Sequence, residues 1–170
     1  MDAESCRTAH GRRESMLLSA VFAGMLASAP CTAQDGTSGP VTVNPGELRW
    51  VDAPPTLPKG SKMVVLFGDP GKPGPYVLRL MAPAGYKIGA HWHSQAENLT
   101  VLSGTLYLGE GDKADRNKVH PLKSGGYHFL PAKQHHYVFV RTPTIVQVNG
   151  DGPFDINYIN PEDNPERAQR

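Results

Sequence analysis

Short apolar runs separated by glycine, proline and charge dominate the chain from residue 41 onward. Lys62-Met-Val-Val-Leu-Phe67 and Tyr76-Val-Leu-Arg-Leu-Met81 read as strong strands, joined by the turn-rich Gly68-Asp-Pro-Gly-Lys-Pro-Gly-Pro75. Further strands are predicted around His91 to His93 and over Glu97–Leu102, Thr105–Leu108, Val119–Leu122, Gly126–Leu130, His136–Arg141, Thr144–Asn149 and Phe154–Ile159, with a charged loop from Glu110 to Lys118. Val41–Val43 and Leu48–Val51 are candidate edge strands. Pro54, Pro55 and Pro58 lack the N–H that a sheet ladder needs, so they mark a loop. No helical period and no internal repeat is visible beyond residue 33. The expected fold is therefore all-β, a sandwich or barrel.

The N-terminus has a different character. Arg12 and Arg13 precede an apolar, small-residue run from Met16 to Ala29, and Cys31-Thr32-Ala33 follows. Charged start, apolar middle and small-residue end are the order of a secretory signal peptide. The run is shorter than the ~20 apolar residues that a membrane span requires. Cleavage after Ala33 gives a mature chain that starts at Gln34, with periplasmic or secreted localisation. A lipobox at Cys31 is disfavoured by Pro30 directly before it, and the paired arginines match a twin-arginine signal only loosely. The expected organisation is a signal peptide over 1–33, a linker and N-terminal arm over 34–60, a barrel over 61–160 and a polar tail over 161–170.

Composition narrows the partners. The chain has 170 residues and a formal charge of +1, a balance that processing at Ala33 leaves unchanged. Such a chain has no global pull toward nucleic acid or an acidic membrane. A small molecule is the expected partner, with no nucleic acid and no membrane after processing. Both cysteines, Cys6 and Cys31, fall within the leader. The mature domain is thus expected to hold together without disulfides. Residues 68–75 are glycine-rich but lack a phosphate-binding pattern, and two strands bracket them.

Candidate chemistry is concentrated in Gly85-Tyr-Lys-Ile-Gly-Ala-His91-Trp-His93-Ser-Gln-Ala-Glu97-Asn-Leu-Thr-Val-Leu-Ser-Gly104. Residues two apart on a strand share a face, roughly 6 to 7 Å apart along the backbone, so His91 and His93 can converge on one ion while Trp92 points away. Glu97 shares their parity. This spacing does not suit a helix, where partners sit three or four apart. A second histidine-rich stretch, Gly125-Gly-Tyr-His128-Phe-Leu-Pro131-Ala-Lys133-Gln-His135-His136, follows.

The first segment resembles the signature of the cupin superfamily, G-x5-H-x-H-x3-E-x6-G, with Gly85, His91, His93, Glu97 and Gly104 in the fixed places. The second resembles G-x5-P-x-G-x2-H-x3-N, with Gly125, Pro131 and His136 in place, Lys133 where glycine is usual and Val140 where asparagine is usual. The runs Phe67-Gly-Asp-Pro-Gly71 and Leu102-Ser-Gly-Thr-Leu106 are similar to those of small single-domain bacterial cupins, the ChrR-like and unassigned exported group. The resemblance implies a double-stranded β-helix, the jelly-roll cupin barrel. It further implies that His91, His93, Glu97 and His136 bind one divalent transition metal ion.

Imidazoles with a carboxylate suit iron, manganese, nickel, copper or zinc, and the donor set does not choose among them. His135 is the alternative to His136; in a strand the two face opposite ways. His120 and His128 have no motif support, and His128 reads as a core or barrel-lining residue. Lys133 is expected to be a solvated turn residue, strained if the turn needs positive φ. Tyr107, Tyr127 and Tyr137 are candidates for pocket hydroxyls, against a simpler role as strand aromatics.

Three functions remain open on these residues. An enzyme acting on a small oxygenated molecule leads, with dioxygenase-type chemistry favoured. A metal-dependent lyase or isomerase is the runner-up, with Glu97 as the catalytic proton carrier. The third is a barrel that binds a ligand or metal without turnover. The arm over Val41–Val51 and an outward-facing Trp92 offer surface for a homodimer, unless the arm covers its own barrel.

Overall fold

A computed structural model describes residues 39–167, all within the compact unit Gln34–Arg170. The leader over 1–33 lies outside the described residues, as does the end of the polar tail. Among the described residues eleven strands occur: β1 (Val51–Asp52), β2 (Lys62–Phe67), β3 (Gly74–Ala82), β4 (Lys87–Trp92), β5 (Glu97–Ser103), β6 (Thr105–Glu110), β7 (His120–Lys123), β8 (Tyr127–Leu130), β9 (His136–Val140), β10 (Thr144–Gly152) and β11 (Asn157–Tyr158). They form two antiparallel sheets. The larger has the order β1-β2-β3-β10-β5-β8, and the smaller β11-β4-β9-β6-β7. This is the all-β jelly roll expected from the sequence.

Alternation explains the layering. In β5, Glu97, Leu99 and Val101 are buried while Asn98 and Thr100 between them are partly exposed; in the first half of β10 the buried residues are Thr144, Val146 and Val148. These meet Tyr76 and Leu78 of β3 and, from the facing sheet, Leu106 and Leu108 of β6 and Val140 of β9. One face of each sheet therefore supplies the apolar interior, and burial of its valine and leucine side chains contributes about 1.5–3 kcal/mol each.

The arm differs from expectation. Val41–Val43 forms no strand, because Pro45–Glu47 turns as a short 3-10 helix whose Glu47 carboxylate accepts from the Asn44 N–H at 2.5 Å. Only Val51 and Asp52 pair, opposite Met63 and Lys62. Likewise Phe154–Ile159 contributes only Asn157–Tyr158 to a sheet, since the chain leaves the ladder over residues 153–156, where Phe154 packs on the core.

Gly104 shows why a signature position admits no side chain. Its φ is +79°, and an added Cβ would stand 2.6 Å from the Pro143 carbonyl oxygen and 2.5 Å from the Thr144 hydroxyl. Both the backbone conformation and the contact oppose substitution. Gly104→Ala is expected to lower stability by about 3 kcal/mol, read as a fall in the urea midpoint without a change in slope.

Candidate metal centre

His91 is the penultimate residue of β4 and His136 begins β9, and the two are direct partners in the antiparallel ladder. Their ring centroids are 4.1 Å apart. His93 follows β4 by one residue, its ring 5.0 Å from that of His91 and 5.1 Å from that of His136. Glu97 opens β5, so the carboxylate comes from the larger sheet and the imidazoles come from the smaller sheet and the connection leaving it. The odd-number parity read from the sequence survives because the chain crosses between sheets over residues 93–97 without reversing which side faces inward.

Donor atoms of His91, His93 and His136 all lie within 4.8 Å of one another, and all three residues are buried. Each Nδ1 is already engaged by a backbone carbonyl: Gly89 for His91 at 2.7 Å, Asp155 for His93 at 2.5 Å and Gln134 for His136 at 3.1 Å. An imidazole that donates Nδ1–H to a carbonyl keeps the Nε2 lone pair for an ion, and such outer partners fix ring and tautomer. The three histidines can therefore hold a metal ion, and a borderline divalent ion fits the donors. Glu97 stands at the edge of this cluster, with Oε2 at 3.1 Å from His93 Nε2.

The electrostatics favour neutral ligands at two positions. Burial, assisted by the neighbouring imidazoles His136 and His93, takes His91 well below its usual value. Burial also takes His136 down to about 4, against the pull of Glu97. At neutral pH both are therefore uncharged, as coordination requires. Burial pushes His93 down as well, but its bond to Glu97 and that carboxylate's charge outweigh it and leave His93 raised. Burial would raise Glu97, and the same bond to His93 more than offsets it, so Glu97 is lowered. Each of the two thus favours the charged form of the other across the 3.1 Å contact.

His135 is separated from this cluster. Its Nδ1 meets Asp112 Oδ1 at 2.6 Å, whereas of the adjacent pair it is His136 whose donor atom lies with those of His91 and His93. His128 is half-buried on β8, and His120 is exposed on β7. Lys133 is the one non-glycine residue with positive φ among those described, at 64°, and its N–H reaches the His93 carbonyl at 2.8 Å. The turn strain anticipated at this position is thus present, and the turn it belongs to holds the backbone of a candidate ligand.

None of the three candidate tyrosines lines the interior cavity beside the histidines, in keeping with their simpler role as strand aromatics. Tyr137 is buried with its hydroxyl 3.0 Å from the carbonyls of both Asp115 and Lys118, which share its one proton, Tyr127 bonds Asn98, and Tyr107 stacks on Phe139. Tyr86 lines the cavity instead, and Phe154 stacks on His93 with centroids 5.3 Å apart. Asp155 was also missed. It offers its carbonyl to His93 while its carboxylate accepts from the Ser94 N–H and hydroxyl and from Asn157. Sequence contains no signal for it, because a backbone acceptor can be supplied by any residue.

A family model described as Cupin domain matches residues 77–148. No curated protein matches the chain. Among solved structures, the polyketide cyclase RemF from Streptomyces resistomycificus is similar with a TM-score of 0.58 at 18% identity, over 76% of this chain and 92% of that one. A proposed acetylacetone dioxygenase from Methylibium petroleiphilum is similar with a TM-score of 0.57 at 16% identity, over 78% and 94%. KdgF from a Halomonas species gives 0.51 at 14% identity, over 68% and 96%. At these identities the likeness is one of fold.

Proposed function

Because this chain belongs to the cupin superfamily, its domain matched over residues 77–148, we propose that it is an exported mononuclear metal enzyme acting on a small oxygenated molecule, with dioxygenase-type chemistry favoured. The observation that carries the reading is the trio of buried imidazoles whose Nδ1 atoms are all tied to backbone carbonyls. His91, His93 and His136 would hold the ion through Nε2, with Glu97 as the fourth ligand. A bound divalent ion would supply Lewis acidity toward an enol or catechol-like oxygen and, as iron or copper, a place for dioxygen. The chain's own residues orient and enclose the substrate, since the cavity beside the donors is walled by side chains such as Leu80, Ile88, Val138 and Phe154. The resemblance of fold to a proposed dioxygenase supports this reading at the level of architecture.

The ion pair of Glu97 with His93 supports a second reading, a lyase or isomerase. A buried carboxylate within 3.1 Å of an imidazole is placed to carry a proton. Glu97→Gln is then expected to keep bound metal while turnover falls about 10²- to 10⁴-fold. Loss of the metal in that variant would make Glu97 a ligand first.

Elemental analysis of protein purified without added metal, with spectra taken under air and nitrogen, tests the proposal. One iron or copper per chain with a spectrum that responds to dioxygen supports the oxygenase. Zinc, nickel or manganese without such a response moves the reading to lyase or isomerase, and protein that takes up no ion refutes a metal enzyme. The intact mass of the periplasmic or secreted form tests export, with a start at Gln34 expected.

A further inference from the structure

The cavity beside the donor cluster is small, about 60 Å³. Its polar groups are gathered at the end formed by His91, His93, Glu97 and His136. Elsewhere its hydroxyls are spent on the protein. Tyr86 donates to the Pro58 carbonyl at 3.0 Å, the Ser61 hydroxyl lies 2.9 Å from the Tyr86 oxygen, and Thr144 donates to the Thr142 carbonyl at 2.9 Å. A hydroxyl has one proton to give, so none of the three has one left for a ligand. No lysine or arginine is among the described residues that line the cavity.

We infer that the substrate class is a small molecule with one oxygen-bearing end and an otherwise apolar, uncharged body, such as a phenol, enol or ketone. This rests on the metal-site reading for the oxygen end, and on the cavity wall alone for the body. A sugar, a sugar acid or an amino acid would carry hydroxyl or charged groups into the apolar part. There a carboxylate meets neither a cation nor a free donor, and a buried polar group without a partner weakens binding. The only charged residue of the described lining outside the imidazoles is Glu97, which disfavours a second anion.

Leu57 sets the reach of this cavity. It sits in the loop 53–61, which leaves β1 and returns to β2 with its ends closed by the bond from Ala53 N–H to the Ser61 carbonyl at 3.1 Å. Compact loops with adjoining ends are common functional elements. Here the loop is tied to the barrel by Tyr86 on Pro58 and by the Tyr158 hydroxyl on the Thr56 carbonyl at 2.9 Å. Its Leu57 side chain is buried and lines the cavity. Removing that side chain lengthens the space for an apolar tail without touching a metal donor.

The test is calorimetric titration under nitrogen of metal-loaded and of EDTA-stripped protein with para-cresol, para-hydroxybenzyl alcohol and para-hydroxybenzoate, which share one phenol end. Cresol is expected to bind best in both forms, the alcohol at least about tenfold more weakly and the benzoate more weakly still. Equal or tighter binding of the alcohol or the benzoate overturns the substrate class, as does absence of cresol binding to both forms. Metal content, measured on the same samples, reports separately on the metal-site reading: a preference for cresol in protein that takes up no metal would sink that reading and leave the apolar body standing. Leu57→Ala is expected to move the preference from para-cresol toward para-propylphenol by about fivefold or more, with metal content unchanged. Leu57→Val serves if the alanine variant does not fold, with a smaller shift in the same direction. An unchanged ratio overturns the assignment of Leu57.

Discussion

Replacing His91 with alanine is expected to weaken metal binding by more than about 100-fold, above the range seen when only an outer partner of a ligand is lost. The variant purified without added metal would then contain almost none, as read by elemental analysis. His91 touches both of its fellow donors: it is the ladder partner of His136, and its ring is 5.0 Å from that of His93. Its removal leaves two imidazoles and an ion-paired carboxylate. His135→Ala provides the contrast, since its ring bonds Asp112 on the outside of the barrel. That variant should keep its metal. Full occupancy in His91→Ala would remove His91 from the site, and loss of metal in His135→Ala with retention in His136→Ala would move the ligand by one position.

Much of this arrangement was legible in the sequence because it depends on period-two alternation and on turns with few solutions. His91 and His93 share parity, and a strand leaves parity little freedom to mislead. The positive φ of Lys133 followed from its standing where a turn usually has glycine. The illegible parts depend on contacts between distant segments. Leu57 reads as one residue in a proline-rich loop, and only the closure of residues 53–61 over the barrel turns it into a cavity wall. Tyr86 stands just before β4 and Tyr137 lies in β9, yet one faces the cavity and the other fixes the loop at Asp115 and Lys118. The outer support of His93 comes from a carbonyl sixty-two residues away, at Asp155. Backbone acceptors leave no compositional trace. The exposed arm over 41–43 failed as strand for a local reason, the turn at Pro45–Glu47, which the apolar valines on their own did not reveal.

Acidification of the metal-free protein is expected to destabilise it before its ordinary carboxylates titrate. His136 is held at about 4 in the folded state, against 6.5 for the free side chain. Between those values the unfolded chain binds a proton that the folded one refuses. The contribution is therefore fully present above pH 6.5 and is lost as the pH falls toward 4, amounting to about 3 kcal/mol for this residue. His91, also lowered, acts in the same direction. Glu97 follows at lower pH, because its depressed folded value makes its contribution present above 4.5 and lost as the pH falls through that depressed value. His93 opposes them: its raised value contributes stability below 6.5 that disappears as the pH rises through the folded value. With two buried neutral imidazoles against one paired imidazolium, the net effect from pH 7 down to 4 is loss. Urea melts of EDTA-treated protein at pH 7, 6, 5 and 4 should show a midpoint that falls steadily, and in His136→Phe the fall should be shallower. A midpoint that is flat over this range, or that rises on acidification, would mean that the imidazoles of His91 and His136 are not held neutral by burial.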